Sequence, residues 1–327
     1  MDAAFRQWVD RRLAELGGSA GAWEPLPAEA SHRRFYRVRV IDAVSTPSVV
    51  AMTSPPDLER NDAFEHLAGV FLAAGIGVPE IHAIDRGRGY LLLSDLGGHH
   101  LIDAYRQPGA EAVLPAAIDT LIRLQQVSDP GITPYTRQRF QDELAIYRQW
   151  CLDALLALPA PAGLDAAFAL LVDATDAQPR CCVHRDFHSR NLLLGGDGGI
   201  GVVDFQDALI GPATYDLASL LRDCYHRFEE AEVARWRDHY LARTPLPVDR
   251  ATFARDLDFV ALQRQLKAVG IFARLKLRDG RDTHLAHIVP VLARIRDLAA
   301  AHPPLAALAE HAAAAVPLAR QRLAAAA

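Results

Sequence analysis

A short segment that favours β-strands interrupts the helical second half of the chain. The sequence "CVHRDFHSRNLLLGGDGGIGVVDF" (182–205) contains short apolar runs separated by a polar loop and by glycines. Short apolar runs bounded by glycine predict strands. The fold must therefore hold a strand-loop-strand frame among long helices.

Polar residues of this frame match the requirements of phosphoryl transfer. The spacing H-R-D-x-x-x-x-N includes Asp186 and ends at Asn191, and Asp204 follows the next predicted strand. Such a reaction needs a carboxylate that orients the acceptor hydroxyl, and oxygen ligands that hold Mg²⁺ on the phosphates. We predict Asp186 as the catalytic base, with Asn191 and Asp204 as metal ligands. His184 is assigned to structural support of the loop.

Each aspartate also has a purely structural interpretation. Asp186 could cap a turn and Asp204 could end a strand, and both placements are common. H-R-D-x-x-x-x-N followed within about 15 residues by an apolar strand and an Asp-Phe pair is more specific than either aspartate alone. The combination therefore favours a phosphotransfer site.

The N-terminal part of the chain predicts a small antiparallel sheet with packed helices. An amphipathic helix comes first, with Phe5, Trp8, Val9, Leu13 and Leu16 on one face. Strands are predicted at 35–41, 48–52, 80–84 and 89–96. A helix after "SPPD" should pack through Leu58, Phe64, Leu67 and Phe71.

Beyond residue 97 the sequence favours long helices rich in alanine and leucine. They are predicted at 109–128, 136–157, 165–175, 213–226, 229–242, 250–278 and 285–300. The tail, 303–327, is predicted to be helical and loosely held. The expected fold class is α+β and bilobal, with a β-rich lobe at 1–96 and a larger helical lobe at 97–327.

Composition limits the classes of partner. The 327 residues are 50% apolar and 23% charged, with a formal net charge of -5, so the basic surface typical of nucleic-acid binding is not expected. The N-terminal segment lacks the apolar core of a signal peptide, and no apolar run approaches the roughly 20 residues that span a bilayer. We predict a cytoplasmic monomer with reduced cysteines and with no nucleic-acid or membrane partner.

Three segments carry a resemblance to a known superfamily. They are "HRDFHSRNLLL", "VVDFQDALIGPATYDLASLLRDCY" and "QRQLKAVGIFARLKLRDG", in this order. Together they resemble the aminoglycoside phosphotransferase and choline kinase superfamily, and within it the anomeric kinases of N-acetylmuramate and N-acetylglucosamine. The resemblance implies a protein-kinase-like fold, ATP and Mg²⁺ as cofactors, and an amino-sugar substrate phosphorylated at C1 during peptidoglycan recycling.

The resemblance also implies residues of the nucleotide site. In "GYLLLSDLGG", backbone groups of Ser94, Asp95 and Leu96 would form the hinge that meets the adenine edge. "EASHRRFYRV" takes the place of the phosphate-covering loop, where Ser31 would bind phosphate oxygens with neighbouring N–H groups. Asp216 would brace the catalytic loop by accepting its backbone hydrogen bonds, and it also suits a helix N-terminus.

The second predicted strand departs from the family pattern. Members of the superfamily carry a lysine there that pairs with the phosphates, and this chain has Met52. Either Arg33 or Arg34 supplies the missing charge, or the site depends more heavily on the metal ion. The alternative for each arginine is an exposed charge at a strand edge. Without the lysine, there is no reason to expect a glutamate in the following helix that pairs with it. We therefore assign no role in the site to Glu59 or Glu65.

The acceptor site is less defined by sequence. Asp207, Arg222 and Tyr225 are predicted to bind the substrate, and surface roles are the alternative for each. "QRQLKAVGIF" takes the place where the superfamily builds its acceptor pocket, so Arg264 and Lys267 are candidates to meet an anionic group such as a lactyl carboxylate.

The catalytic loop alone leaves the acceptor open. The lack of an A-P-E-like anchor argues against a peptide substrate, and the mixed charges of 205–280 argue against a pocket for polycations. One alternative is another small-molecule kinase, with an aminoglycoside, choline or homoserine acceptor. A second is a non-catalytic nucleotide-binding pseudokinase, which Met52 favours and the intact Asp186, Asn191 and Asp204 oppose.

Overall fold

The computed structural model describes residues 2–27, 31–42, 47–107, 110–195 and 198–324. The strands are β1 (Ser19–Leu26), β2 (Arg34–Ile41), β3 (Ser48–Thr53), β4 (Ile81–Asp85), β5 (Tyr90–Ser94), β6 (Arg180–Val183), β7 (Leu192–Leu194), β8 (Ile200–Val202) and β9 (Leu209–Pro212). The helices are α1 (Ala3–Glu15), α2 (Asn61–Ala73), α3 (Leu101–Ala104), α4 (Leu114–Gln125), α5 (Arg137–Ile146), α6 (Leu164–Asp176), α7 (Tyr215–Leu221), α8 (Glu230–Leu241), α9 (Phe253–Asp279), α10 (Leu285–Ala300) and α11 (Ala306–Ala324). A π-helix, Tyr147–Leu156, continues α5, and 3-10 turns lie at Ala110–Val113 and Pro303–Leu305. Among the described helices, none is both long enough and apolar enough to cross a membrane.

The chain forms two compact units. Unit 1 consists of Met1–Gly131 and Arg190–Asp207, and unit 2 consists of Ile132–Ser189 and Ala208–Ala327. The segment 182–205 is therefore divided between them, with the boundary inside the H-R-D-x-x-x-x-N motif. The predicted lobe boundary after Leu96 rests on the change to long helices beyond residue 97, and it stays a prediction.

Unit 1 is built on a five-stranded sheet. The strand order is β1-β2-β3-β5-β4, and neighbouring strands are antiparallel, as predicted. β2 and β3 form the predicted hairpin, in which Val38 lies opposite Val49. The connecting residues 43–46 lie outside the described part of the chain. Helix α1 packs on this sheet through Phe5, Trp8, Val9 and Leu13.

Two elements of unit 1 differ from the prediction. Strand β1 has the sequence "SAGAWEPL", whose glycine and proline are uncommon in strands, so sequence alone does not predict it. Helix α2 begins only at Asn61, because the N–H groups of Leu58 and Glu59 both donate to the Pro55 carbonyl in a preceding turn. Leu58 is therefore 61% exposed and does not belong to the packed face. That face keeps Phe64, Leu67 and Phe71.

The β7–β8 hairpin belongs to unit 1. Gly201 of β8 bridges Gly77, and the N–H of Val202 donates to the Gly77 carbonyl at 2.7 Å. A Cβ atom on Gly77 would lie 2.9 Å from the carbonyl oxygen of Ile200, so only glycine allows this approach. These contacts explain why 190–207 groups with the first sheet.

Unit 2 is organised around α9, which has 27 residues. A Cβ atom on Gly270 would lie 2.6 Å from the backbone nitrogen of Tyr147, so α9 packs directly on the start of the π-helix. Strand β9 pairs with β6, placing Ile210 opposite Cys182. Sequence alone does not predict β9, because its run "LIGP" again contains glycine and proline.

The C-terminal tail packs within unit 2. Helix α11 buries Leu308, Ala312 and Val316, and the Nε2 atom of His311 lies 2.8 Å from the hydroxyl of Tyr147. The expectation of a loosely held tail is therefore wrong. Alanine gives a weak apolar signal in sequence, but small side chains allow helices to approach closely.

Candidate active site

The β7–β8 hairpin brings the two predicted metal ligands together in unit 1. Asn191 immediately precedes β7, and Asp204 follows shortly after β8. The N–H of Val203 donates to the Asn191 carbonyl at 3.0 Å, so Asn191 and Asp204 are near neighbours across the open end of the hairpin. The amide side chain of Asn191 and the carboxylate side chain of Asp204 therefore start from neighbouring backbone positions at this end of the hairpin.

Asp204 has a constrained backbone. Its φ is 64°, in the left-handed region that aspartate and asparagine tolerate better than most residues. The next residue, Phe205, is fully buried and stacks on Phe64 with ring centroids 4.9 Å apart. The side-chain amide of Gln206 donates to the Asp204 carboxylate at 2.8 Å. Backbone strain held by its surroundings in this way is frequent at functional sites.

The donor atoms at the hairpin end fit Mg²⁺. This ion takes oxygen ligands and usually keeps waters and substrate phosphates beside one or two carboxylates. Within the described ranges, no group of three or more His, Cys, Asp or Glu side chains is arranged to hold a metal ion. Asn191 and Asp204 would supply two oxygen ligands, which is about the number that Mg²⁺ usually takes from protein side chains.

Arg33 is buried in unit 1. It is 4% exposed, its Nε donates to Ser54 Oγ at 3.1 Å, and it lies 3.5 Å from the Glu59 carboxylate. The guanidinium also lies over the ring of Phe64, 5.2 Å from its centroid. The alternative of an exposed strand-edge charge is therefore wrong for Arg33, whereas Arg34 is exposed.

The guanidinium of Arg33 retains an unsatisfied donor. Burial lowers the pKa of Arg33, and the carboxylates of Glu59, Asp204 and Asp207 only partly oppose this effect. Within the described chain, its Nη2 atom is buried without a hydrogen-bond partner. A buried donor without a partner is unfavourable unless a ligand satisfies it. This nitrogen is therefore suited to bind an anion.

Glu59 links the predicted phosphate loop to Arg33, although sequence alone gives it no role. Its Oε1 accepts from the Ser31 hydroxyl at 2.9 Å and from the His32 N–H at 2.8 Å. Met52 is fully buried in β3 and supplies no charge. Residues 29–30 of the predicted loop lie outside the described ranges, and the phosphate contact of Ser31 stays a prediction.

The predicted hinge lies at the end of β5. The N–H of Ser94 donates to the Glu80 carbonyl at 2.9 Å, and the hydroxyl of Ser94 accepts from the Glu80 N–H at 2.9 Å. The Asp95 carboxylate accepts from Nε of Arg37 at 2.6 Å. These contacts hold the start of the segment, and Leu96 follows directly. The adenine contacts of all three hinge residues stay predictions.

Asp186 lies among positive charges in unit 2. Its side chain is 42% exposed, and its Oδ1 lies 3.7 Å from Nη2 of Arg264. Partial burial raises the pKa of the Asp186 carboxyl, but surrounding positive charges hold it well below its ordinary value. They come from Lys267, Arg264 and Arg185. The carboxylate is therefore ionised at neutral pH, the state that accepts a hydrogen bond from an acceptor hydroxyl.

Asp216 contacts the backbone of the catalytic loop. The N–H groups of His184 and Arg185 donate to its two carboxylate oxygens at 2.6 and 2.9 Å. Complete burial raises the pKa of Asp216, although these partners act in the opposite direction. Arg185 has a φ of 79°, which a non-glycine residue keeps only where its surroundings hold it. In turn, the Asp186 N–H donates to Nδ1 of His184 at 3.2 Å.

A buried ion-pair network supports this loop in unit 2. The Glu143 carboxylate lies 3.1 Å from Nζ of Lys267 and 3.2 Å from Nη2 of Arg185. Burial raises the pKa of Glu143, but these cations lower it to a net value below the ordinary one. Arg264 donates to the Arg185 carbonyl at 3.1 Å and faces Asp186. From the sequence, Lys267 and Arg264 are candidates to bind a carboxylate of the substrate. In the structure, Lys267 faces Glu143 and Arg264 faces Asp186.

The three predicted substrate residues have different surroundings. Asp207, in unit 1, is half-exposed and lies 3.6 Å from Arg60. Arg222, in unit 2, binds the Glu230 carboxylate through Nη1 at 2.5 Å and Nη2 at 2.8 Å. The ring of Tyr225 meets two histidine rings at 5.0 and 5.3 Å. Their contacts with an acceptor stay predictions.

Solved structures with the same fold are phosphotransferases. A choline kinase from Streptococcus pneumoniae superposes with a TM-score of 0.68 at 13% identity, covering 92% of this chain and 100% of that one. A choline/ethanolamine kinase family protein from Mesorhizobium loti gives 0.62 at 16% identity, covering 92% and 99%. The α+β, protein-kinase-like fold is therefore confirmed.

The sequence identifies the family. The sequence model of the phosphotransferase enzyme family matches residues 22–254, and the chain belongs to this family. A protein of Pseudomonas aeruginosa named N-acetylmuramate/N-acetylglucosamine kinase is 37% identical over 323 residues, which cover 93% of this chain and 94% of the relative. Proteins of the same name from Pseudomonas putida and Neisseria meningitidis are 33% and 35% identical, over 90% and 82% of this chain and 91% and 83% of their own lengths.

Proposed function

We propose that the protein transfers the γ-phosphoryl group of ATP, with Mg²⁺, to the anomeric C1 hydroxyl of N-acetylmuramate and N-acetylglucosamine. The sugar 1-phosphates would serve peptidoglycan recycling in the cytoplasm, and we expect the protein to act as a monomer. The observation that carries the proposal is the 37% identity, over 93% of the chain, to a kinase named for both sugars. The intact Asp186, Asn191 and Asp204 support turnover rather than nucleotide binding alone.

Asp186 is suited to orient the acceptor hydroxyl more than to remove its proton early. Lys267 and Arg264 help to keep the Asp186 carboxylate ionised, and a carboxylate with a lowered pKa is a weak base. Phosphoryl transfer passes through a loose transition state, so the acceptor needs little activation before the bond forms. An anomeric hydroxyl is also more acidic than an ordinary alcohol, so a weak base suffices.

Residues of unit 1 are suited to the phosphates. Asn191 and Asp204 would hold Mg²⁺ at the hairpin end, and the bound ion would neutralise charge on the phosphate oxygens. Arg33 would supply the positive charge that the missing lysine provides elsewhere in the superfamily, using the Nη2 atom that lacks a partner in the described chain. Glu59 would position Arg33, while backbone groups of 94–96 would meet adenine.

The role of Arg33 can be tested against its exposed neighbour. We expect Arg33→Gln to raise the KM for ATP by about 10- to 100-fold, because a hydrogen bond from a charged group contributes about 1.5–3 kcal/mol. Steady-state kinetics with ATP varied at saturating sugar measure the effect. Arg34→Gln is the matched control and should leave this KM unchanged. Equal effects of the two substitutions, with wild-type thermal stability, would remove Arg33 from the nucleotide site.

The substrate proposal is tested by measuring ATP consumption with Mg²⁺ and a panel of acceptors. The panel consists of N-acetylmuramate, N-acetylglucosamine, glucose, kanamycin, choline and homoserine. We expect turnover with the two amino sugars, and phosphorus NMR should identify a sugar 1-phosphate. The Asp186→Asn protein, prepared in parallel, controls for contaminating kinases.

Each other outcome changes a different part of the proposal. Turnover of kanamycin, choline or homoserine without the amino sugars would keep the phosphotransferase and overturn the acceptor. A product phosphorylated elsewhere on the sugar would overturn the anomeric position. Nucleotide binding without turnover of any acceptor would favour a pseudokinase.

A further inference from the structure

A pocket of about 330 Å³ lies within unit 2. Its walls come from the end of α7, the residues that lead into α8, the middle of α9 and the second half of α10. Its charged lining residues are Arg222, Asp223, Arg227, Glu230, Asp258, Arg294 and Asp297, and Gln265 lies beside them. Sites for small ligands usually have volumes of about 300–1,000 Å³ with a few polar groups in the wall. The size and lining therefore suit a monosaccharide.

Contacts within unit 2 connect this pocket to the catalytic loop. The Asp223 carboxylate accepts from the Ser189 N–H at 3.1 Å, and the Asp223 carbonyl accepts from Nη1 of Arg294. Gln265 lines the pocket, and the preceding residue, Arg264, lies 3.7 Å from the carboxylate predicted as the catalytic base. The pocket is therefore adjacent to the loop that would orient the acceptor.

Arg294 contributes a positive charge to the pocket and forms no ion pair with a described residue. Its Nη1 donates to two backbone carbonyls, those of Asp223 and His226, the latter at 3.0 Å. Within the described ranges, no carboxylate oxygen lies within 4.0 Å of its guanidinium. Burial lowers the pKa of Arg294, the nearby Asp223 carboxylate partly opposes this effect, and the charge of Arg227 adds to it. By contrast, Arg222 is paired with Glu230 and a second carboxylate.

A second unsatisfied group lies in the same wall. Gln265 is 2% exposed, and its Nε2 donates to the Arg222 carbonyl at 3.0 Å. Its Oε1 is buried and has no hydrogen-bond partner in the described part of the chain. A buried acceptor of this kind is suited to a ligand N–H or O–H group.

We infer that Arg294 binds the lactyl carboxylate of N-acetylmuramate, an inference that rests on the proposed function. The nearby Arg227 already faces the Asp297 carboxylate at 4.0 Å. N-acetylmuramate carries the lactyl carboxylate on the O3 atom, where N-acetylglucosamine has only a hydroxyl. A guanidinium can bind a carboxylate through two parallel hydrogen bonds. Nε and Nη2 of Arg294 have no partner among the described residues, so they remain for the ligand.

The experiment compares the two sugars in the Arg294→Gln variant. We expect the KM for N-acetylmuramate to rise about 10- to 100-fold, the effect of losing a charge-assisted hydrogen bond, while the KM for N-acetylglucosamine stays unchanged. Arg294→Lys should restore part of the affinity for N-acetylmuramate. Arg278→Gln, at an exposed position near the end of α9, is the matched control and should leave both KM values unchanged.

The wild-type protein provides a second readout that does not depend on folding of a variant. The methyl ester of N-acetylmuramate lacks the charge, so its KM should rise by a similar factor. Equal losses with both sugars in Arg294→Gln would overturn the inference and leave Arg294 only as a support of the Asp223 and His226 carbonyls. An ester that performs as well as the acid would also overturn it. If the wild-type protein phosphorylates neither sugar, the proposed function itself fails.

Discussion

Asp186→Asn is expected to lower kcat by about 10²- to 10⁴-fold and to leave the KM for ATP unchanged, because a positioned general base contributes about this factor. Asparagine keeps the shape of the side chain but cannot accept a proton, and it has no charge with which to orient the acceptor hydroxyl. Arg264 would also lose the carboxylate that it now faces, and Lys267 would lose a nearby negative charge. Formation of sugar phosphate at saturating ATP and sugar measures the effect.

Controls separate this loss of chemistry from a loss of fold. Asp238→Asn replaces an exposed carboxylate on α8 and should keep the wild-type kcat. Thermal unfolding shows whether Asp186→Asn is folded. Because the pKa of Asp186 is lowered in the folded protein, its contribution to stability is present at neutral pH and is lost only as the pH falls through that lowered pKa. A wild-type kcat in folded Asp186→Asn would show that Asp186 is not the base.

Asp204→Asn is expected to raise the Mg²⁺ concentration for half-maximal activity by at least about 10- to 100-fold, the loss that follows even when only a partner of a metal ligand is removed. The φ of 64° makes asparagine the better choice than alanine, because asparagine tolerates the left-handed region. The substitution therefore removes the negative charge with little added backbone strain. Initial rates across a Mg²⁺ titration at fixed ATP measure the shift.

An exposed carboxylate of the same unit provides the control. Asp103→Asn on α3 should leave the Mg²⁺ dependence unchanged. Thermal unfolding without Mg²⁺ tests whether Asp204→Asn folds normally. An unaltered Mg²⁺ requirement in folded Asp204→Asn would exclude this carboxylate as a ligand and would direct attention to other oxygen donors.

The parts of the fold that could be predicted are those with strong local patterns. The sequence predicts a helix at 250–278, and the structure has α9 at Phe253–Asp279. The two ranges are close because the apolar residues of this segment recur at helical spacing. Strands β1 and β9 could not be predicted, because glycine and proline weaken their local signal and pairing with β2 and β6 stabilises them instead. Tertiary pairing therefore overrides local preference at these two strands.

The same distinction applies to the candidate site. Asp186, Asn191 and Asp204 belong to one short segment, so their spacing alone indicates a common purpose. The Glu143 carboxylate accepts a hydrogen bond from Gln263, which is 120 positions away, and no local sequence pattern predicts that contact. Arg294 likewise meets carbonyls about 70 positions earlier, at 68 and 71 residues of separation. Such supports become visible only when the packing of distant helices is known.

The discontinuity of unit 1 has a consequence for how the protein is made. Phe64 and Phe71 complete their packing against Phe205, and Gly77 finds its β partner in Gly201. A ribosome adds roughly 5–20 residues per second, so α2 and Gly77 wait several seconds after residue 131 for these partners to be synthesised. The five strands of the first sheet all precede residue 95, so the sheet can pair before unit 1 is complete.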